Sequence, residues 1–313
     1  MKKMYKAVIV GAGKIGSEFD TPDSDKILTH AHALSNHQEI ILDGFYDIDY
    51  KKAVHAAEIW GGQAYPEISD ALCRTDIVVC CVPDQFHGKA LKEIAAYTPQ
   101  LVIAEKPLAV SVKEAEEIRR LYQGKIPLMV NYSRRYIKEF DDLRKNLKEF
   151  GRFLRGVGYY GKGILHNGSH MIDFIQYLLG NIEALTEVTG KILDFKGDPS
   201  VDVSMRIAQG VFSMIAIDSR IVTLFEMELF FEKARIRILE GGKKIEYYEV
   251  KESSAYKGYY NYMLKRAVTA NDSTAMQGLV ENAVLFLENR EEMKCTLEDG
   301  ISVLQTCIKI GRM

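Results

Sequence analysis

The run Met4-Tyr5-Lys6-Ala7-Val8-Ile9-Val10 leads without interruption into Gly11-Ala12-Gly13-Lys14-Ile15-Gly16, and few folds accept that order. The apolar stretch from Ala7 to Val10 predicts a strand buried on both faces, as in a parallel sheet. Three glycines at this spacing, after a strand and before a helix, suit a dinucleotide pyrophosphate. Gly11 permits the tight turn, Gly13 lets the backbone approach the phosphates, and Gly16 lets the helix lie close to the strand. The helix start adds free N–H groups and a positive dipole end. Gly11, Gly13, Lys14, Ile15 and Gly16 are therefore cofactor-binding candidates.

A second strand is predicted over residues 39–46, and Asp47 ends it. A carboxylate there accepts hydrogen bonds from ribose hydroxyls and repels a 2′-phosphate. NAD(H) is favoured over NADP(H) on that ground, although Asp47 could equally cap the next helix. The separation from Gly16 exceeds the roughly 20 residues usual in this motif. The surplus falls in residues 19–29, rich in Asp, Ser, Thr and Pro, and reads as an insertion.

With 313 residues, 47% hydrophobic and 27% charged, the chain suits a soluble protein of about two domains. A net charge of −2 carries no nucleic-acid footprint. No apolar stretch reaches the roughly 18 residues of a membrane span, so neither nucleic acid nor membrane is expected as a partner. Met1-Lys2-Lys3 resembles a signal n-region, but the apolar run behind it is short and already serves the nucleotide strand. The five cysteines, Cys73, Cys80, Cys81, Cys295 and Cys307, form no C-x-x-C. They read as reduced thiols of a cytoplasmic protein.

Strands are expected at Tyr5–Val10 and at 39–46, 76–82, 100–104 and 126–130, with helices between them, among them 89–97 and 112–123. The latter carries a capping box, Ser111-x-x-Glu114. That alternation predicts an α/β Rossmann domain over residues 1–130. From 131 to 313 the pattern changes to an α+β domain serving substrate binding and oligomerisation. It begins with a polar helix at 137–150, Gly-rich sequence and a helix at 169–179. Strands without helices follow at 182–192, 201–207, 211–217, 224–231, 234–239 and 244–250, which implies a large, mainly antiparallel open sheet. Helices at 275–288 and 297–310 close the chain, the second capped by Thr296-x-x-Asp299, and they could pack back on the first domain. A ligand is expected at the carboxyl ends of the parallel strands, between the domains.

Three further segments place ionisable residues at turns: Val82-Pro83-Asp84-Gln85-Phe86-His87, Ala104-Glu105-Lys106-Pro107-Leu108, and Gly163 through Asp173. With these, the chain resembles the glucose–fructose oxidoreductase/inositol dehydrogenase family, often called Gfo/Idh/MocA. The markers are the Gly11–Gly16 loop, Asp47, the Pro83…His87 turn, Glu105-Lys106-Pro107 and Gly168-Ser169-His170-Met171-Ile172-Asp173. The resemblance implies a Rossmann domain joined to a domain with a large open sheet. It also implies NAD(P)-dependent oxidation or reduction of a carbon in a sugar, cyclitol or related compound such as a nucleotide sugar.

By the same resemblance, Lys106 points at the reacting oxygen, where a cation stabilises alkoxide charge. His170 is the acid/base, a role suited to an imidazole. Pro83, His87 and Glu105 join the cofactor side. Many members carry Asp four residues before the catalytic His, where this chain has His166. His166 is then a proton relay or a substrate contact, and Asp173 orients a neighbour. On the substrate side Asn131, Arg134, Arg135, Tyr160, Lys162, His166, Asn167 and Asp173 are candidates, the basic ones able to pair with phosphate or carboxylate. His166-x-x-x-His170 has metal spacing, but Gly168 places the first His before the helix, and no metal is expected. His30, His32 and His37 read as the polar edge of a helix and loop. The resemblance further implies a homodimer or homotetramer covering the open sheet. Two other activities fit these residues: NAD-dependent glycoside cleavage, and ligand sensing without turnover.

Overall fold

The apolar runs that open the chain form one parallel sheet. Its strands are β1 (Tyr5–Val10), β2 (Ile40–Tyr46), β3 (Gln63–Tyr65), β4 (Ile77–Cys80), β5 (Leu101–Ala104) and β6 (Leu128–Val130), in the order β3-β2-β1-β4-β5-β6. Every neighbouring pair is parallel. In the computed structural model, which describes residues 3–312, β4 and β5 are buried along their whole length. Met1 and Lys2, part of the segment compared above with a signal n-region, lie outside the described residues, as does Met313. Among the described residues no helix is long and apolar enough to cross a membrane.

Helices α1 (His30–Ser35), α2 (Tyr50–Trp60), α3 (Ile68–Leu72), α4 (His87–Ala95) and α5 (Val112–Tyr122) connect these strands. Ser111 caps α5 by accepting from Glu114 N at 3.2 Å. The sequence missed β3, a three-residue edge strand too short to show a period. The expected helix behind the glycine loop is also different. A single π-type turn at Lys14–Glu18 ends in the loop that the inserted residues form, and only six residues of helix, α1, follow.

The chain divides into two compact units, Met1–Tyr136 with Ser273–Leu304, and Ile137–Asp272 with Gln305–Met313. In the first, α8 (Ala275–Leu287) crosses the turn at Ser133–Tyr136 so closely that a Cβ on Gly278 would lie 2.2 Å from Tyr136 O. Ahead of α9 (Leu297–Arg312), Thr296 bridges to Met129 in β6. Thr296 and Asp299 cap α9 reciprocally: Asp299 N donates to Thr296 Oγ1 at 3.2 Å, and Thr296 N donates to Asp299 Oδ2 at 2.8 Å.

The second unit holds β7 (Phe153–Tyr160), β8 (Ile182–Ile192), β9 (Ser200–Ile207), β10 (Gly210–Ala216), β11 (Phe225–Phe231), β12 (Ala234–Leu239), β13 (Lys244–Glu252) and β14 (Tyr260–Thr269). They form one eight-stranded sheet in the order β14-β13-β12-β11-β7-β10-β9-β8. The β7–β10 pair is parallel and all others are antiparallel. Alternation sorts the faces. Val201, Val203, Met205 and Ile207 turn inward, as do Met227, Leu229, Ile236 and Ile238. The other face carries Glu228 paired with Arg235 and Arg237, each at 2.8 Å.

Strand β7 lies in the middle of this sheet, yet the sequence reads there as Gly-rich loop. Its glycines serve packing. A Cβ on Gly156 would lie 2.6 Å from the Phe212 ring, and one on Gly158 would lie 2.4 Å from Met171 Sδ of α7 (Ser169–Leu179). Helix α6 (Lys138–Asn146) meets α7 through Phe140 and Phe174, whose ring centroids are 4.7 Å apart. Strand β14 was also missed, since it is exposed on both faces and shows no buried period.

Tyr160 ends β7 fully buried, with its hydroxyl donating to Val201 O at 2.8 Å and accepting from Val201 N at 2.7 Å. Tyr160→Phe leaves that backbone N–H without its partner in the core. A loss of about 1–3 kcal/mol is expected in urea unfolding. Unaltered stability would show that the hydroxyl carries no weight.

Candidate active site

The first unit gathers its candidates at the carboxyl ends of β1, β2, β4, β5 and β6. The order of strands reverses between β1 and β4, the place where open α/β sheets bind ligands. Gly11 has φ +101°, and a Cβ on it would lie 2.7 Å from the Cys81 carbonyl carbon. A Cβ on Gly16 would lie 2.3 Å from Gly11 O, whereas one on Gly13 would meet open space. Gly11 and Gly16 are thus required by the turn itself, and Gly13 leaves its backbone open to a phosphate. Lys14 is exposed and Ile15 half-buried beside it. With only one π-type turn behind the loop, the helix dipole contributes less here than a full helix would.

Asp47 follows β2 and ties the loop down. Its Oδ2 accepts from Ala12 N at 2.8 Å and its Oδ1 from Asp49 N at 2.9 Å. Each oxygen retains a lone pair for a further donor. Trp60 Nε1 donates to Ser17 O at 2.9 Å and places the chain's one tryptophan against the same turn.

Pro83 is exposed, and His87 is fully buried. His87 Nδ1 lies 2.7 Å from Pro107 O and Nε2 lies 2.8 Å from Val82 O. The imidazole joins the turn after β4 to the turn after β5, where the Lys106–Pro107 peptide is cis. His87 therefore shapes the wall of the site and presents no ring nitrogen to a ligand.

Glu105 and Lys106 follow β5. Glu105 Oε1 is 2.8 Å from His30 Nε2 and accepts from Asn131 Nδ2 at 2.7 Å, while Oε2 lies 3.3 Å from Lys106 N. Burial pushes this carboxyl up, but the bond and charge of His30, the Asn131 amide and the charge of Lys106 outweigh it and hold it below the ordinary value. His30 and His32 are 0% and 2% exposed, which corrects their reading as a polar edge. His32 Nδ1 lies 2.8 Å from Asp20 Oδ2 and its ring is 5.1 Å from that of Trp60. His37, 3.1 Å from Glu281, is the one of the three nearest the surface. Burial raises the Cys80 thiol to about 12 and Cys81 well above its ordinary value, as inert thiols require.

Several substrate candidates turn inward. Asn131 is 4% exposed in the Glu105 cluster. Arg135, also 4% exposed, donates to Lys294 O at 2.7 Å and pairs with Asp299 at 3.2 Å. Tyr160 is sealed in the core as described. The bonds described for Arg135 and Tyr160 hold the fold together. Arg134 is half-buried in the Ser133–Tyr136 turn.

In the second unit a π-type turn, Gly163–Gly168, runs directly into α7. Gly168 has helical φ −60° and ψ −32°, so the turn enters α7 without a break, and His166 precedes α7 as the sequence suggested. It is small because a Cβ would lie 2.8 Å from both Tyr160 and Ile164. His166 and Asn167 occupy the turn, half-buried, and His170 stands in the first turn of α7, also half-buried. Asp173 is 1% exposed. Among the described residues no three His, Cys, Asp or Glu side chains converge as a metal site would require.

The loop between β8 and β9 holds this turn, which the sequence did not foretell. Asp198 accepts from Leu165 N at 3.0 Å and His166 N at 2.8 Å. Burial pushes the Asp198 carboxyl up in spite of these bonds. Burial also works against Asp194, but donors from Lys162, Ser219 and Ser200 outweigh it and bring that carboxyl to about 2. Phe195, between them, stacks on the His166 ring at 4.7 Å and 27°, with Lys162 Nζ 5.8 Å above its own ring. Two aspartates four residues apart around an aromatic were the available signal, but long-range pairing across the sheet was needed to read it.

Comparisons with known proteins agree with this arrangement. Residues 5–132 match the model of an oxidoreductase family with the NAD-binding Rossmann fold. Glucose-6-phosphate 3-dehydrogenase of Bacillus subtilis (strain 168) is 28% identical over 113 residues, 36% of this chain and 29% of that protein. The chain thus spans under a third of that relative's length. UDP-N-acetylglucosamine 3-dehydrogenase from Acidithiobacillus ferrooxidans superposes with a TM-score of 0.79 at 15% identity, covering 99% of this chain and 97% of that one. An oxidoreductase from Agrobacterium radiobacter, solved with NAD+, L-tartaric acid and magnesium, gives a TM-score of 0.76 at 14% identity over 99% and 97%. At such identities these structures speak for the fold alone. Residues 5–132, which hold β1 to β6, thus match the oxidoreductase family with the NAD-binding Rossmann fold, Gfo/Idh/MocA.

Proposed function

We propose that this protein is an NAD(H)-dependent oxidoreductase acting on a hydroxyl or keto carbon of a sugar, cyclitol or nucleotide sugar. The observation that carries it is Lys106, in the turn at the end of β5 where a half-buried Glu105, its carboxyl held below the ordinary value, binds the Lys106 backbone N, in the sheet that bears the glycine loop. The residues fit the dinucleotide: Gly13 leaves open space, and Asp47 draws the loop toward β2 while keeping lone pairs for ribose hydroxyls. When bound, the nicotinamide supplies the hydride acceptor or donor.

The chain's own residues supply the rest. The Lys106 ammonium stabilises negative charge on the substrate oxygen as its proton leaves. His170 takes that proton in oxidation and returns it in reduction. His166, its ring fixed by Phe195 and its backbone by Asp198, orients the substrate. Arg134, Lys162, Asn167 and Asp173 complete the substrate side. A phosphorylated or nucleotide-linked sugar suits the basic pair, and two of the similar proteins are named for such sugars. We place the protein in the cytoplasm as a homodimer or homotetramer, on the strength of its buried thiols and open sheet.

Cofactor choice is tested by titration, with Trp60 fluorescence as the reporter. Asp47→Ser should weaken NADH and strengthen NADPH, since a 2′-phosphate no longer meets a carboxylate. Tighter NADPH than NADH binding by the unaltered protein would overturn the assignment.

Turnover is tested by following NADH absorbance with glucose 6-phosphate, UDP-N-acetylglucosamine and myo-inositol, at neutral and alkaline pH. Lys106→Met should lower kcat by about 10²-fold or more, with a small change in NADH affinity. His170→Ala should remove most activity together with the pH dependence near neutrality. His166→Ala should mainly raise KM. Near-normal kcat in Lys106→Met would remove Lys106 from the chemistry, and a neutral pH dependence that follows His166 would exchange the two histidines' roles.

A further inference from the structure

The inserted residues 19–29 have no part in the glycine loop, yet they are firmly held. Asp20 accepts from Leu28 N at 2.6 Å and binds the Thr29 hydroxyl and His32 Nδ1, the latter at 2.8 Å. Thr29 caps α1 by accepting from His32 N at 3.1 Å. These bonds fold the segment back, so that α1 begins with a His30 that is 0% exposed. The ring reaches across 75 positions of sequence to Glu105, 2.8 Å away.

A carboxylate as little exposed as Glu105, 13% of its side chain, keeps its charge where donors stand in for water. His30 and Asn131 both address Oε1, at 2.8 and 2.7 Å, and Oε2 lies toward Lys106 N at 3.3 Å. The charge of Lys106 favours the carboxylate, whose Oε2 lies against the backbone N of the same residue.

We propose that His30 is a positioning residue, which through Glu105 fixes the place of Lys106, and that the inserted segment serves to deliver it. The proposal rests on Lys106 being the cation at the reacting oxygen, but its test needs no turnover and is read apart from that assignment. The segment then bears on chemistry although none of it touches substrate or cofactor. Shortening it would withdraw His30 while leaving the glycine loop intact.

Competitive acetylation with acetic anhydride, read by peptide mass spectrometry, measures the reactivity of Lys106 against exposed Lys52 as an internal standard. His30→Gln keeps an amide N–H near the position of Nε2, whereas His30→Asn is too short to reach Glu105. Once the carboxylate is removed, or no longer held in place by His30, its grip on Lys106 is weaker. In Glu105→Gln and in His30→Asn, Lys106 should therefore label about threefold or more faster at mildly alkaline pH. His30→Gln should stay close to the unaltered protein. The double variant His30→Asn/Glu105→Gln should label no faster than Glu105→Gln alone, because both act on one path. A purely structural His30 would move Lys52 and Lys106 alike, and would not be rescued by Gln. The unaltered rate of Lys106 in Glu105→Gln would break the link to the cation. Full additivity in the double variant would show that His30 acts elsewhere. Either result overturns the proposal.

Discussion

A half-buried carboxylate organises the first unit. Glu105 follows β5, and its charge has to be met by donors drawn from other parts of the chain. His30 comes from α1 and Asn131 from the end of β6, so one side chain fixes three segments at the carboxyl end of the sheet. His87 adds a second tie by joining the Val82 and Pro107 carbonyls. The turn that carries Lys106 is therefore gripped from both sides. Such a turn can present a cation without reorganising when charge develops, which is where electrostatic catalysis gains most.

Glycine does two kinds of work in this chain. At Gly11 and Gly16 the absence of Cβ is demanded by backbone passing backbone within a tight turn, and Gly13 opens the loop to an anion. At Gly156 and Gly158 it makes room for Phe212 and Met171 in the middle of a sheet. The first use leaves a short spaced signature because the ligand is small and the turn is local. The second leaves none, since the side chains that fill the space lie far along the chain.

The second unit holds its turn with two acids from the loop between β8 and β9. Asp194 and Asp198 spend their oxygens on backbone N–H groups and hydroxyls around Gly163–Gly168. Their opposite shifts, Asp194 down and Asp198 up, reflect how far the donors offset burial at each. The gain is a π-type turn that enters α7 without a break and sets His166 against Phe195.

The sequence by itself determined the parallel sheet, the glycine loop, the acid at the end of β2 and most of the second sheet. Each rests on local order: a buried strand reads as an apolar run, a half-buried one as alternation, a phosphate turn as spaced glycines. It also singled out Lys106 and His170, though only through resemblance to a family. Tertiary structure alone decided what lies between. It brought His30 to Glu105, turned Tyr160 and Arg135 inward, placed Gly-rich β7 at the centre of a sheet, and laid Phe195 on His166. Those outcomes depend on which distant groups satisfy a buried charge or fill the space beside a missing Cβ, and no local pattern of residues records them.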